Sequence, residues 1–135
     1  MAYVIMVGDN LSEDMIKAGE ELTRELENAG ISVKASFWFF LPELSRWRLM
    51  IASPEVDKLG HRSVYGKVGR ILERLSLEKP SLTLNDVTLL ETKDQLVALL
   101  RKVVKTDKRE TSRIRITGNA IKGRFINDAL IYRLV

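Results

Sequence analysis

The stretch ISVKASFWFFLPELSRWRLMIA, residues 31–52, decides the fold. Its first half alternates with a period of two. Ile31, Val33, Ala35, Phe37 and Phe39 fall on one face, and Ser32, Lys34, Ser36, Trp38 and Phe40 on the other. Residues 41–45 turn the chain, because Pro42 fixes φ and removes a ladder donor. Residues 46–52 return as a second strand with Trp47, Leu49 and Ile51 toward the core, which predicts a β-hairpin.

Upstream of the hairpin, Met15, Ala18, Leu22, Leu26 and Ala29 recur at helical spacing over residues 12–29. Asn10 followed by Glu13 resembles a capping pair, and Gly30 suits the position just past the helix end. Within residues 1–11, the apolar residues 3–7 read as a first strand or an N-terminal arm. Downstream, residues 55–62 read as a polar loop, and residues 63–76 as a helix striped by Val64, Val68, Ile71, Leu72 and Leu75. Pro80 marks its exit. A short strand at residues 87–90 precedes a third helix, capped by Asp94 and striped by Leu96, Leu99, Leu100, Val103 and Val104. Residues 105–113 form a basic connection, and residues 113–117 alternate again. Gly118-Asn119, Lys122-Gly123 and Asn127-Asp128 mark turns before a last strand at residues 130–134. Hairpins mixed with helices predict one α+β domain over residues 1–135, a mainly antiparallel sheet with about three helices packed on one face.

At 135 residues, 45% hydrophobic and 30% charged, the chain has the size and composition of one globular domain. It has no Cys, which excludes disulfides, cysteine-ligated zinc, iron–sulfur clusters and a catalytic thiol. A single His61 excludes a His-rich metal site within one chain, so neither metal nor cofactor is expected. No apolar run approaches the roughly 18 residues that span a bilayer. Residues 3–7 are too short for a signal-peptide core and follow no basic segment, so the expected location is the cytoplasm.

The net charge of +4 hides a gradient. Residues 1–45 carry 3 basic and 8 acidic side chains, whereas residues 101–135 carry 10 and 3. Such asymmetry favours a polyanionic ligand or complementary contact between subunits. Catalytic motifs are scarce. Gly60, Gly66 and Gly69 lack the spacing of a phosphate loop, and no elbow motif orders a serine with His61 and Asp57. The weak candidates for a small enzyme or an anion site are Asp57, His61 and Arg62, in the loop over residues 55–62, with Lys67 and Arg70 adding positive charge nearby.

The stronger expectation is a sheet face. With the odd residues of the first strand packed on helices, the opposite face presents Trp38, Phe40, Arg46, Arg48, Met50, Arg115 and Arg133. The binding residues are therefore expected to be Trp38, Phe40, Arg46, Arg48, Arg115 and Arg133. The face reads first as a self-association surface of a non-enzymatic homodimer, its arginines paired to acids such as Glu20, Glu21 or Glu25. It reads second as a platform that stacks the bases of RNA or single-stranded DNA. In a third reading, guanidinium planes stack on Trp38 and Phe40 within one chain.

Residues 35–43 (ASFWFFLPE) and 47–57 (WRLMIASPEVD) carry a resemblance, joined by residues 114–116 (IRI), Asn119, Gly123 and residues 126–134 (INDALIYRL). In these motifs the chain resembles a family of small uncharacterised bacterial proteins, from about Leu22 to the end. Residues 1–11 have no counterpart there. The resemblance implies a bacterial-type, single-domain cytoplasmic protein and carries over no catalytic residue.

Overall fold

The computed structural model of the chain describes residues 10–75 and 82–135. Strands β1 (Ala35–Leu41) and β2 (Arg46–Ala52) form the expected antiparallel hairpin. A 3-10 turn over Pro42–Leu44 joins them, followed by Ser45 in the left-handed region at φ 46°. The expected side-chain parity does not hold. The hairpin closes on Leu41 opposite Arg46, so every pair joins an odd to an even residue: Trp38 faces Leu49, Phe40 faces Trp47, and Phe39 faces Arg48. Trp38 and Phe40 therefore share a face with Trp47, Leu49 and Ile51. Arg46, Arg48 and Met50 lie on the other face, with Phe37 and Phe39.

Three further strands, β3 (Val87–Leu90), β4 (Ile114–Ile121) and β5 (Arg124–Leu134), complete a five-stranded sheet in the order β3-β2-β1-β5-β4. Three pairings are antiparallel, and β2 with β3 is parallel, so the sheet is mixed. A parallel neighbour needs a crossover, and the helical segment after β2 supplies it. β4 and β5 join through Lys122-Gly123, whose positive φ values of 49° and 84° match the twist of a tight hairpin. The turns expected at Gly118-Asn119 and Asn127-Asp128 are instead inside strands.

Helix α1 (Glu13–Asn28) is capped by Ser12, whose hydroxyl accepts from the Met15 amide at 3.1 Å; Asn10 is not the cap. Gly30, at φ 85°, follows its end as expected. A helix also stands where a polar loop was expected. In α2 (Pro54–Leu59), Ser53 caps the Glu55 amide, and Pro54 occupies the first turn, where its missing N–H is not needed. Helices α3 (His61–Leu75) and α4 (Gln95–Arg101) follow, the latter capped by Asp94 as expected.

Four α-helices thus form among the described residues, and they cover both faces of the sheet rather than one. On one side Trp38, Leu49, Ile51, Leu130 and Tyr132 pack against Leu22 and Leu26 of α1 and Val64, Val68 and Ile71 of α3. On the other, Phe37, Phe39, Met50 and Ile131 pack against Leu96, Val97 and Leu100 of α4. β1 explains why: it has a single polar residue, Ser36, so neither face suits water. Ser36 is itself buried, bonded to the Thr23 hydroxyl of α1 at 2.7 Å. Full burial of a side chain such as Phe37 contributes on the order of 2–3 kcal/mol. Among the described residues, no helix is long and apolar enough to cross a membrane. Residues 3–7 and Pro80 lie outside the described residues.

Candidate functional site

Trp38, the centre of the expected binding face, is fully buried beneath α1. Its Nε1 donates to the Tyr132 hydroxyl at 3.0 Å, and that hydroxyl donates to the Ile16 carbonyl of α1. Burial pushes the Tyr132 phenol above its ordinary range. Gly19 makes this approach possible. A Cβ there would stand 2.7 Å from the Tyr132 hydroxyl and 2.8 Å from Trp38 Nε1. Arg133 is also buried, 2% exposed, with its guanidinium on Glu27 of α1 and its Nε without a hydrogen-bond partner among the described residues.

The other expected face residues are dispersed. Phe40 is half-buried and tilts against Trp47, their rings 5.4 Å apart. Arg115 forms a two-pronged pair with Asp128 at 2.6 and 2.7 Å and lies 5.5 Å from the Trp47 ring. Hydrogen bonding to that carboxylate raises the Arg115 pKa further. Arg46 donates to Asp86 and to the Asn85 carbonyl, both at 3.2 Å. Arg48 donates to the Thr88 hydroxyl at 2.7 Å and the Val87 carbonyl. No exposed surface unites the six residues. The self-association and base-stacking readings both lose the face on which they were placed.

The charge gradient is resolved in part inside the chain. Glu13, Glu20 and Glu27 recur every seven residues along α1, a spacing that keeps them on one stripe. Arg113 bonds Glu13 at 3.0 Å and Glu20 at 3.4 Å, and Arg133 takes Glu27. Hydrogen bonds to Glu20 and Glu13 raise the Arg113 pKa. Of the acids expected to meet the arginines of a second subunit, Glu20 meets Arg113 and Glu25 meets Arg74 of the same chain, and Glu21 forms no ion pair among the described residues. Guanidinium stacking also occurs within the chain, on Trp47 and, for Arg124, on Phe39 at 5.9 Å. The rings expected to take part were Trp38 and Phe40.

The loop candidates do not converge either. Asp57, on α2, accepts from the Thr92 amide at 3.2 Å and the Thr92 hydroxyl at 3.0 Å, which ties α2 to the turn after β3. His61 is exposed at the start of α3, beside a shallow pocket of about 320 Å³ lined also by Glu91, Lys93 and Asp94. Arg62 is exposed on the same helix. Among the described residues, no group of three or more metal-ligating side chains forms.

Cations outside any ion pair among the described residues include Lys102, Lys108 and Lys122, and one cluster of them lies on α3. At 100° per residue, Arg62, Gly66, Arg70, Arg74 and Lys67 occupy one arc of the helix, opposite Val64, Val68 and Leu72. Between this arc and the end of α1 lies a cavity of about 770 Å³, floored by Ala29, Ile31 and Ile71 and rimmed by Lys67, Arg70 and Arg74. Among the described residues, Glu73 is the one acid lining it. Among the described residues, Arg74 meets Glu25 at 3.9 Å, whereas Arg62, Lys67 and Arg70 form no ion pair. Arg74 had not stood out in the sequence. Its seven-residue distance from Lys67 was the available signal.

No family model, curated protein or solved structure matches this chain. Function has to be argued from its own side chains.

Proposed function

We propose that the chain is an interaction domain that binds a polyanion, the phosphodiester backbone of RNA or single-stranded DNA, along the outer arc of α3. The carrying observation is the cavity between α1 and α3, whose rim holds Lys67, Arg70 and Arg74 against a single acid among the described residues. Arg62 extends this positive strip to the start of the helix, roughly 18 Å from Arg74 along the axis. Charge arranged in this way supplies sequence-independent affinity through counterion release. Among the described residues the lining contains no aromatic side chain, so base stacking contributes little and the contact is to phosphate.

Fluorescence anisotropy with labelled RNA and DNA oligomers, at low and moderate salt, tests the reading, with protein mass followed by light scattering in the same samples. The expected result is binding that weakens steeply with salt. With about three phosphate contacts to a single strand, the log–log slope is about −2. The Lys67→Glu/Arg70→Glu variant should lose this binding and keep its fold, since neither residue is fully buried. Binding unchanged in that variant, or a clean dimer with no affinity for either oligomer, removes the proposal.

A further inference from the structure

Strand β4 ends the sheet. It pairs with β5 alone, so alternate backbone N–H and C=O groups along its outer side have no strand partner among the described residues. On the α4 side, the sheet is also wider than the helix that covers it. α4 has seven residues, and Ile114 and Ile116 of β4 remain half-exposed at its margin. This leaves an apolar notch of about 390 Å³, in which Ile116, Ala120 and Ile121 meet Val103 and Val104 beyond the end of α4. Val103 is 56% exposed. Lys102 and Lys122 stand at the rim, and among the described residues no acidic side chain lines the notch.

We propose that this edge receives an extended, acidic segment of another protein by strand addition. Its backbone pairs with β4, apolar side chains at alternate positions enter the notch, and carboxylates meet Lys102 and Lys122. The alternation follows from the period of a strand, and the acidic character from the two lysines. A second copy of this chain fits poorly. Antiparallel pairing of β4 with itself brings no carboxylate to Lys102 and Lys122, because Ile114–Ile121 contains no acidic residue.

Selection of a displayed library of random peptides on the full chain tests the proposal. The expected result is enrichment of sequences that alternate aliphatic with acidic residues. A representative enriched peptide should protect β4 amides from hydrogen exchange. It should bind the Lys102→Glu/Lys122→Glu variant at least about fivefold more weakly. Both lysines are exposed, so the variant keeps its fold. Oligonucleotide binding by that variant should stay unchanged, because its α3 cations are intact. Enrichment of basic sequences, no enrichment, or protection away from β4 overturns the proposal. So does dimerisation of the free chain that protects β4, because a second copy then holds the edge.

Discussion

Helices α1 and α3 lie on the same side of the sheet, have nearly equal lengths of 16 and 15 residues, and are both amphipathic, yet they treat charge and glycine in opposite ways. Glu13, Glu20 and Glu27 of α1 neutralise Arg113 and Arg133 at the sheet, and among the described residues Glu25 alone reaches α3, at Arg74. The cations of α3 turn outward, and Arg62, Lys67 and Arg70 meet no acid among the described residues. Gly19 of α1 is pressed against Trp38 and Tyr132, whereas a Cβ on Gly66 of α3 would meet nothing closer than Arg70 Nη1 at 4.0 Å. The difference teaches that the number of arginines in a segment says little about which are free to bind. The basic C-terminal strands are stitched to an acidic helix. A shorter basic stripe on α3, modest in the sequence, is left open.

Gly19→Ala attacks the closed helix most directly. The added methyl would fall within 3 Å of Tyr132 and Trp38, neither of which has room to retreat between α1 and the sheet. The expected loss is about 3 kcal/mol, read as a lower midpoint in urea denaturation. A loss below about 1 kcal/mol would mean that α1 can lift from the sheet at little cost. Glu27→Ala comes next. It leaves the Arg133 guanidinium buried with no counter-charge, which is worse than removing both partners. Because Glu27 is about one-third exposed, the expected cost is near 2 kcal/mol rather than that of a fully buried pair. Arg133→Met should cost less than Glu27→Ala, since it removes the charge itself. The reverse order would show that Arg133 is well solvated without Glu27.

The sequence was legible where one local rule acted alone. The hairpin around Pro42, the Asp94 cap, the Lys122-Gly123 turn and Gly30 after α1 all follow from residue chemistry within a few positions. Parity across the hairpin was not legible. Alternation fixes a face only when one face is polar, and Phe37, Trp38, Phe39 and Phe40 make both sides of β1 apolar. The partner strand is then set by the connection at residues 42–45, whose 3-10 turn and left-handed Ser45 leave a weak signal. One residue of parity moved Arg46 and Arg48 away from Trp38 and dissolved the expected basic–aromatic face. α2 was hidden for a different reason. Its six residues are too few for a periodic stripe, although Ser53-Pro54 is a sound helix start. The α3 stripe is half visible, because Lys67 and Arg70 stand out as cations near the loop over residues 55–62 whereas Arg74 does not.

The smallest effect separates the two helices most sharply. Gly66 stands in the interior of α3 with an ordinary helical backbone and open space where a side chain would go. A glycine there costs about 0.5–1 kcal/mol relative to alanine, and no contact within the described chain accounts for it. Gly66→Ala should therefore stabilise the fold by about that amount, opposite in sign to Gly19→Ala. If the phosphate backbone of a bound strand approaches α3 between Arg62 and Arg70, the new methyl stands in its path. Oligonucleotide binding should then weaken a few-fold while the salt slope stays the same, because every cation remains. Equal weakening at a shallower slope would mean that the helix itself had shifted. A more stable protein with undiminished binding would mean that the cations reach their ligand without the helix backbone being approached, and that Gly66 has no part in the contact.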